Sequence, residues 1–114
     1  MISGIVIHGD GMGKTFGFPT ANLDCSKKQV KLSAGVYAAW TYYNKKKYSS
    51  ALVIQEKPWK VEVYLIDFKG DLYGKYLDVD LVQKVGEIER VDTREKMIKK
   101  IGEDAEMVKK ILEN

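Results

Sequence analysis

The length, composition and charge of the chain set the first limits on its function. With 114 residues and 13.0 kDa it has room for one domain and too little chain for two ordinary ones. One cysteine, Cys25, and one histidine, His8, exclude an intrachain disulfide, a cysteine-based zinc cluster and a multi-histidine metal site. The net charge of +3 is mild, which suits a small anionic ligand better than nucleic acid. We expect one domain over residues 1–114, cytoplasmic, monomeric and without a membrane span, because no apolar run approaches about 18–20 residues.

Short stretches of alternating, aromatic or β-branched sequence fill most of the first 83 residues. The predicted strands cover residues 2–8, 35–43, 47–55, 60–67 and 75–83. Four glycines in nine positions predict a loop at 9–17, and turns are expected at 44–46 and 69–71. Short strands with no helix between them predict a mainly β fold, an antiparallel barrel or sandwich.

The tail from about Thr93 has a different period. Its apolar residues recur at helical spacing: Met97, Ile98, Ile101, Ala105, Val108, Ile111 and Leu112. Asp92 is followed three residues later by Glu95, a spacing that resembles a capping box and predicts the start of a helix there. Gly102 costs about 1 kcal/mol relative to Ala inside a helix, so it is a candidate break between two helices. We expect the apolar stripe to pack on the barrel.

The glycine loop is a candidate phosphate site. Gly9, Gly11 and Gly13 allow backbone N–H groups to approach and cradle a phosphate, and Lys14 adds a positive charge. A Walker A loop would need a glycine where His8 stands, and a dinucleotide fingerprint would need one at Lys14. The loop alone therefore leaves open a phosphate cradle or a flexible connection between strands.

Two further positions carry candidate chemistry. If the segment after Pro19 is extended, Thr20 and Asn22 point to one side, where two neutral oxygen ligands suit Mg²⁺ bound to phosphates. A polar turn after the proline is the alternative. On the strand at 60–67, Glu62 lies on the face opposite Val61 and Val63, so it is either a functional carboxylate or a solvated charge.

The run from 9 to 23, GDGMGKTFGFPTANL, resembles the signature of riboflavin kinases. Further matches follow in the same order: GVYA at 35–38, VEVYLIDF at 61–68, DLYGK at 71–75 and the terminal-helix spacing at 93–104. The resemblance covers nearly the whole chain. It implies a six-stranded antiparallel Greek-key barrel with a C-terminal helix, in agreement with the strand and helix pattern.

The resemblance also implies an activity and a set of site residues. Riboflavin kinases transfer the γ-phosphoryl of ATP to the terminal (5′) ribityl hydroxyl of riboflavin, giving FMN and ADP. The positions that match the nucleotide-binding motif are Gly9, Gly11, Gly13, Lys14, Thr20 and Asn22. Thr20 and Asn22 would hold Mg²⁺, and Glu62 would be the general base, roles consistent with phosphoryl transfer by positioning and charge neutralisation.

The sequence departs from the family pattern on the flavin side. An ungapped alignment places Gly86 where the family usually has Arg and Val91 where it usually has Phe, in a loop that closes over flavin. The segment 54–62 is also short. No flavin-binding residue is therefore assigned, and Trp59 is a candidate stacking surface.

Two other functions stay open. The chain could be a degenerate homologue that binds nucleotide or flavin without turnover. It could also be a small nucleic-acid-binding barrel, since aromatic residues adjoin lysines 45–47: Trp40, Tyr42, Tyr43 and Tyr48. Against nucleic acid binding, we expect Trp40 and Tyr42 to pack into the barrel and the lysines to solvate a hairpin tip.

Overall fold

The computed structural model describes residues 1–7, 20–88 and 93–113 and forms a closed antiparallel barrel with one helix. The strands are β1 (Ile2–Ile7), β2 (Thr20–Leu23), β3 (Gly35–Tyr43), β4 (Lys46–Glu56), β5 (Trp59–Leu65) and β6 (Tyr76–Gly86), and the helix is α1 (Arg94–Glu113). Around the barrel the order is β1-β2-β5-β4-β3-β6. Because β2 lies beside β5 while β3, β4 and β5 are joined by hairpins, the connection is a Greek key. The predicted fold is confirmed.

Alternation decides which side chains fill the barrel. Val61, Val63 and Leu65 of β5 are buried, while the residues between them face outward and are partly exposed. In β2, Ala21 and Leu23 are buried, and Thr20 and Asn22 are partly exposed. The segment at 20–23 is therefore extended rather than a polar turn, and in it Thr20 and Asn22 share one face, opposite Ala21.

The hairpin between β3 and β4 is a two-residue turn. Asn44 and Lys45 both have positive φ, 53° and 65°, and the flanking Tyr43 and Lys46 are paired. Two consecutive residues at positive φ are typical of the primed turns that suit the twist of antiparallel strands. The predicted turn at 44–46 and its neighbouring strands are therefore confirmed to within one residue.

The expectation for Trp40 and Tyr42 is wrong, because both lie on the outer face of β3. Tyr42 is 37% exposed, and Lys47 Nζ lies 4.2 Å from the centre of the Trp40 ring. The inward residue between them is Thr41, fully buried, with its hydroxyl 2.7 Å from that of Ser50. The first five residues of β3 are buried on both faces, so the strand lacks the alternation that would have fixed its orientation.

The tail is one continuous helix, so Gly102 does not divide it. Ala105, Val108 and their apolar neighbours pack on the outside of the barrel against Val36, Ala38 and Ala51. An ion pair between Lys100 and Asp104, 2.8 Å apart, spans the glycine along the helix. Burial of the apolar face outweighs a penalty of about 1 kcal/mol at one position.

The start of α1 is capped by Thr93, whose hydroxyl accepts a hydrogen bond from the Lys96 N–H at 3.1 Å. Asp92, the cap expected from the sequence, lies outside the described residues. Within the described ranges, no helix is long and apolar enough to cross a membrane.

Candidate active site

Strands β2 and β5 bring the predicted site residues together on the outer surface of the barrel. Asn22 and Glu62 are directly opposite each other in the antiparallel register, and Thr20 is opposite Tyr64. Opposite residues project from the same face with their Cβ atoms about 4.5–5.5 Å apart. A hydroxyl, an amide and a carboxylate therefore share one small patch, formed by residues distant in sequence.

Glu62 is held by a neighbour on its own strand. Its carboxylate Oε1 lies 3.0 Å from Lys60 Nζ, and both side chains are about one quarter exposed, at 25% and 26%. Residues i and i+2 of a strand share a face, so the ion pair runs along β5. The Glu62 carboxylate is thus accessible from solvent and fixed in direction.

Tyr64 connects this patch to α1. It follows Glu62 on the same outward face and packs with the apolar cluster under the helix. Burial raises the pKa of its phenol, as does the negative charge of Asp67, while Lys109 of α1 opposes the shift. The helix therefore closes one border of the patch.

A cross-strand row extends from the patch to Gly86 at the end of β6. Glu62 is opposite Val53 of β4, Val53 is opposite Val36 of β3, and Val36 is opposite Gly86 of β6. Gly86 therefore ends a strand, whereas the sequence comparison placed it in a loop. The distance from Glu62 to Gly86 spans three strand spacings, about 14 Å along the sheet.

A pocket of about 220 Å³ adjoins Asn22 on the other side of the patch. We call it the Trp59 pocket; it is lined by Ile7, residues 22–25 and residues 59–61. The indole N–H of Trp59 donates to the Cys25 carbonyl oxygen at 2.7 Å, which fixes the ring. Sequence reasoning singled out Trp59 but gave no sign of this pocket, because β2 and β5 are some 35 residues apart.

The donor set fits a hard cation that also binds phosphate. Thr20 and Asn22 offer neutral oxygens as donors, and the Glu62 carboxylate lies opposite Asn22 across the strand pair. No cluster of three or more His, Cys, Asp or Glu among the described residues could hold a metal by itself. Because Thr20 and Asn22 supply only two neutral oxygens, a magnesium ion held by them would take much of its coordination from phosphate oxygens and water. Gly9, Gly11, Gly13, Lys14 and Val91 lie outside the described residues.

The fold and the patch define a small antiparallel barrel with an oxygen-rich site on its outer surface. The chain matches the flavokinase family, described as riboflavin kinase, over residues 1–112. It belongs to the riboflavin kinase family.

Relatives agree with that assignment, and a solved structure shares the fold. A bifunctional riboflavin kinase/FMN adenylyltransferase of Buchnera aphidicola is 36% identical, with 96% of this chain and 37% of the relative covered. An RNA-binding riboflavin kinase of Bacillus subtilis is 32% identical, with 99% of this chain and 51% of the relative covered. The crystal structure of riboflavin kinase from Trypanosoma brucei has the same fold, with a TM-score of 0.73 and 20% identity. The match covers 98% of this chain and 76% of that structure's chain. The chain spans between about a third and a half of these curated relatives.

Proposed function

We propose that this chain phosphorylates riboflavin at the ribityl 5′-hydroxyl with ATP, releasing FMN and ADP. The observation that carries the proposal is the register of β2 against β5, which juxtaposes Asn22 and Glu62 beside Thr20 on an accessible face. Membership in the riboflavin kinase family names the reaction that this patch would perform.

In this proposal, one set of residues binds the phosphates of ATP and another acts on the ribityl hydroxyl of riboflavin. Thr20 and Asn22 hold Mg²⁺ and phosphate oxygens, together with the glycine loop at 9–17 and Lys14. Bound magnesium supplies charge neutralisation for the transferred group. Glu62 orients the ribityl hydroxyl and accepts its proton, and Lys60, 3.0 Å away, keeps that carboxylate in one direction.

Nucleic acid is a poor ligand for the aromatic surface of β3. Trp40 and Tyr42 are opposite Asp80 and Asp78 of β6, so carboxylates stand beside the exposed rings. Carboxylates would repel a phosphate backbone that Lys47 attracts. RNA binding is a property named for the Bacillus subtilis relative, of which this chain covers about half. That one domain fills the chain and that it is a cytoplasmic monomer stay predictions.

The test is direct synthesis of FMN. Purified protein is incubated with riboflavin, ATP and Mg²⁺, and FMN is separated by chromatography. Glu62→Gln is the matched variant, because it keeps the size of the side chain and removes the proton acceptor. We expect FMN from the wild type, a loss of about 100-fold or more in kcat for Glu62→Gln, and little change in nucleotide affinity.

Other outcomes would contradict the proposal at different points. Saturable binding of riboflavin or nucleotide without FMN would indicate a degenerate binder. Equal loss of nucleotide affinity and turnover in Glu62→Gln would make Glu62 a structural residue rather than the base.

A further inference from the structure

A strip of exposed aromatic and apolar side chains runs along the outer surface of the barrel beyond α1. The outward row of β3 passes out from under the helix and ends with Trp40 and Tyr42, of which Tyr42 is 37% exposed. On β6, Tyr76 is 58% exposed and lies opposite Ile5 of β1, which is 51% exposed. Aromatic side chains are enriched in protein interfaces, so this strip is a candidate contact surface.

Two carboxylates lie inside the strip. Asp78 of β6 is opposite Tyr42 and Asp80 is opposite Trp40, so each carboxylate adjoins one ring. Ser3 of β1 donates a hydrogen bond of 2.6 Å to Asp78 Oδ1, which fixes the direction of that carboxylate. In the part of the chain that the structure describes, neither aspartate has a lysine or arginine partner. We call this surface the aromatic–acidic face; it consists of Ile5, Trp40, Tyr42, Tyr76, Asp78 and Asp80.

A lysine of the chain itself shows which chemistry the rings accept. Lys47 of β4 is opposite Tyr42, and its Nζ lies 4.2 Å from the centre of the Trp40 ring. That distance is within the roughly 6 Å of a cation–π contact. On the other side of β3, Asp80 adjoins the same ring. Ring and carboxylate together favour a cationic side chain over a neutral or anionic one.

The spacing of these pairs defines the pattern of side chains that would fit the face. Asp78 and Asp80 are two residues apart on one strand, so they point the same way and are separated by about 6.5 Å. One step further along β6, Tyr76 adjoins Ile5 instead of a charge. An extended segment has the same period, and its alternate side chains share one face. The matching segment therefore carries one apolar side chain followed by two cations, at alternate positions.

We propose that the aromatic–acidic face binds an extended segment of a partner protein that presents an apolar side chain and two arginines at alternate positions. Each guanidinium would pair with one carboxylate and stack on the ring beside it, and the apolar side chain would pack against Tyr76. Arginine fits better than lysine, because its planar group can stack on a ring and pair with a carboxylate at once.

The face lies across the barrel from the candidate active site. In the closed order of strands, β3 is directly across from β2, and β6 is directly across from β5. A partner bound here does not compete for the patch of Thr20, Asn22 and Glu62. Binding of the segment and synthesis of FMN are therefore expected to succeed or fail independently of each other.

Two peptides of identical composition test the spacing. Leu-Thr-Arg-Thr-Arg-Thr places its leucine and both arginines on one face of an extended chain, whereas Leu-Thr-Thr-Arg-Arg-Thr places the arginines on opposite faces. The protein has two tryptophans, so a Trp59→Phe background leaves Trp40 as the fluorescent reporter. We expect the first peptide to change Trp40 fluorescence saturably, with an affinity about fivefold higher than that of the second, as the loss of one exposed ion pair and ring contact implies.

Substitutions on and beside the face should act with opposite signs. Asp78→Asn and Asp80→Asn each keep the size of the side chain and remove its charge, so each should weaken binding of the first peptide about two- to fivefold. Lys47→Met removes the cation that occupies the Trp40 ring and should tighten binding about twofold. Lys47→Arg keeps the charge and should leave binding unchanged. Circular dichroism reports whether each variant folds.

Three other results would overturn the proposal. Equal affinity for the two peptides, or no response of Trp40 to either one, would mean that the face does not recognise an extended basic segment. Binding of a single-stranded oligonucleotide instead, tighter after Asp80→Asn and weaker after Lys47→Met, would assign the face to nucleic acid. Self-association in sedimentation that Asp80→Asn abolishes, without peptide binding, would assign it to a second copy of this chain.

Discussion

At the scale of single residues, the register of β2 against β5 changes the interpretation of Glu62 from a solvated charge to a candidate functional carboxylate. A carboxylate between two valines on a strand is usually a solvated charge. Here it is opposite Asn22 and paired with Lys60, with its exposure reduced to about one quarter. The face on which it lies follows from alternation, but its polar neighbours follow only from strand pairing.

The metal role of β2 is testable by removing single oxygens. We expect Thr20→Ala and Asn22→Ala each to weaken binding of Mg-ADP by about tenfold, because each removes one hard oxygen from a site with few protein ligands. Calorimetric titration with and without Mg²⁺ measures the effect. Thr20→Ser keeps the hydroxyl and should rescue binding, and equal affinities in all variants would rule out the proposed metal site.

Gly86, where the resemblance to riboflavin kinases implies an Arg next to flavin, offers a gain-of-function test. A Cβ added at Gly86 would meet no atom of the described residues within 4 Å, so the backbone there leaves room for a side chain to begin. We expect Gly86→Arg to tighten riboflavin binding up to about tenfold, the gain from one charge-assisted contact, and to leave ADP affinity unchanged. Riboflavin fluorescence titration measures it.

The control for that substitution is Gly102→Arg, which adds the same charge at an equally open position on α1. If both variants bind riboflavin more tightly, the effect is a general one of charge. If neither does, the departure at Gly86 does not limit flavin affinity.

At the scale of elements, α1 shows how packing overrides local propensity. The helix runs through Gly102 because its apolar face is buried on β3 and β4 and because Lys100 and Asp104 pair across the glycine. The same helix borders Tyr64, so its docking shapes one edge of the candidate site. Its continuity could not be predicted from the tail alone, since the stabilising surface belongs to the barrel.

Replacing Gly102 with a better helix former should stabilise the protein. A Cβ at Gly102 would contact nothing within 4 Å, so Gly102→Ala should increase the free energy of unfolding by about 0.5–1 kcal/mol. Chemical denaturation followed by circular dichroism measures the change.

Gly35→Ala is the opposing control, because Gly35 has φ +154° and its added Cβ would lie 2.9 Å from the Gly86 carbonyl oxygen. That variant should be less stable than the wild type. A destabilised Gly102→Ala would mean that the glycine serves a contact the structure does not show.

At the scale of the whole molecule, packing in the barrel and under α1 withdraws two ionisable groups from water. Cys25 is buried, and burial, followed by the negative charge of Asp24, raises the pKa of its thiol above the usual 9.0. Burial likewise raises the pKa of Tyr64 above 10.0. Both groups are therefore kept neutral by folding, and a thiol of this kind is a poor nucleophile.

These shifts predict a loss of stability in alkali. Because the folded pKa of each group is higher than the unfolded one, the stabilisation is complete below the unfolded value and is lost as pH rises through the folded value. The free energy of unfolding should fall as pH rises above about 9. Urea denaturation at a series of pH values checks this.

Cys25→Ala provides the comparison. It should lower stability at neutral pH through lost packing, yet flatten the decline that begins near pH 9. An identical slope in the variant and the wild type would show that Cys25 does not contribute to the pH dependence.

Local pattern by itself determined five of the six strands and the position of the terminal helix, because periodicity records which side of an element is buried, but it left β2 open between a strand and a polar turn. The order of the motifs along the chain indicated the riboflavin kinase family in addition. Only the tertiary structure decided that Asn22 faces Glu62, that Trp40 lies outside, and that a pocket opens between β2 and β5. Those features depend on which strands pair and in what register, and pairing joins residues whose separation in sequence carries no local signal.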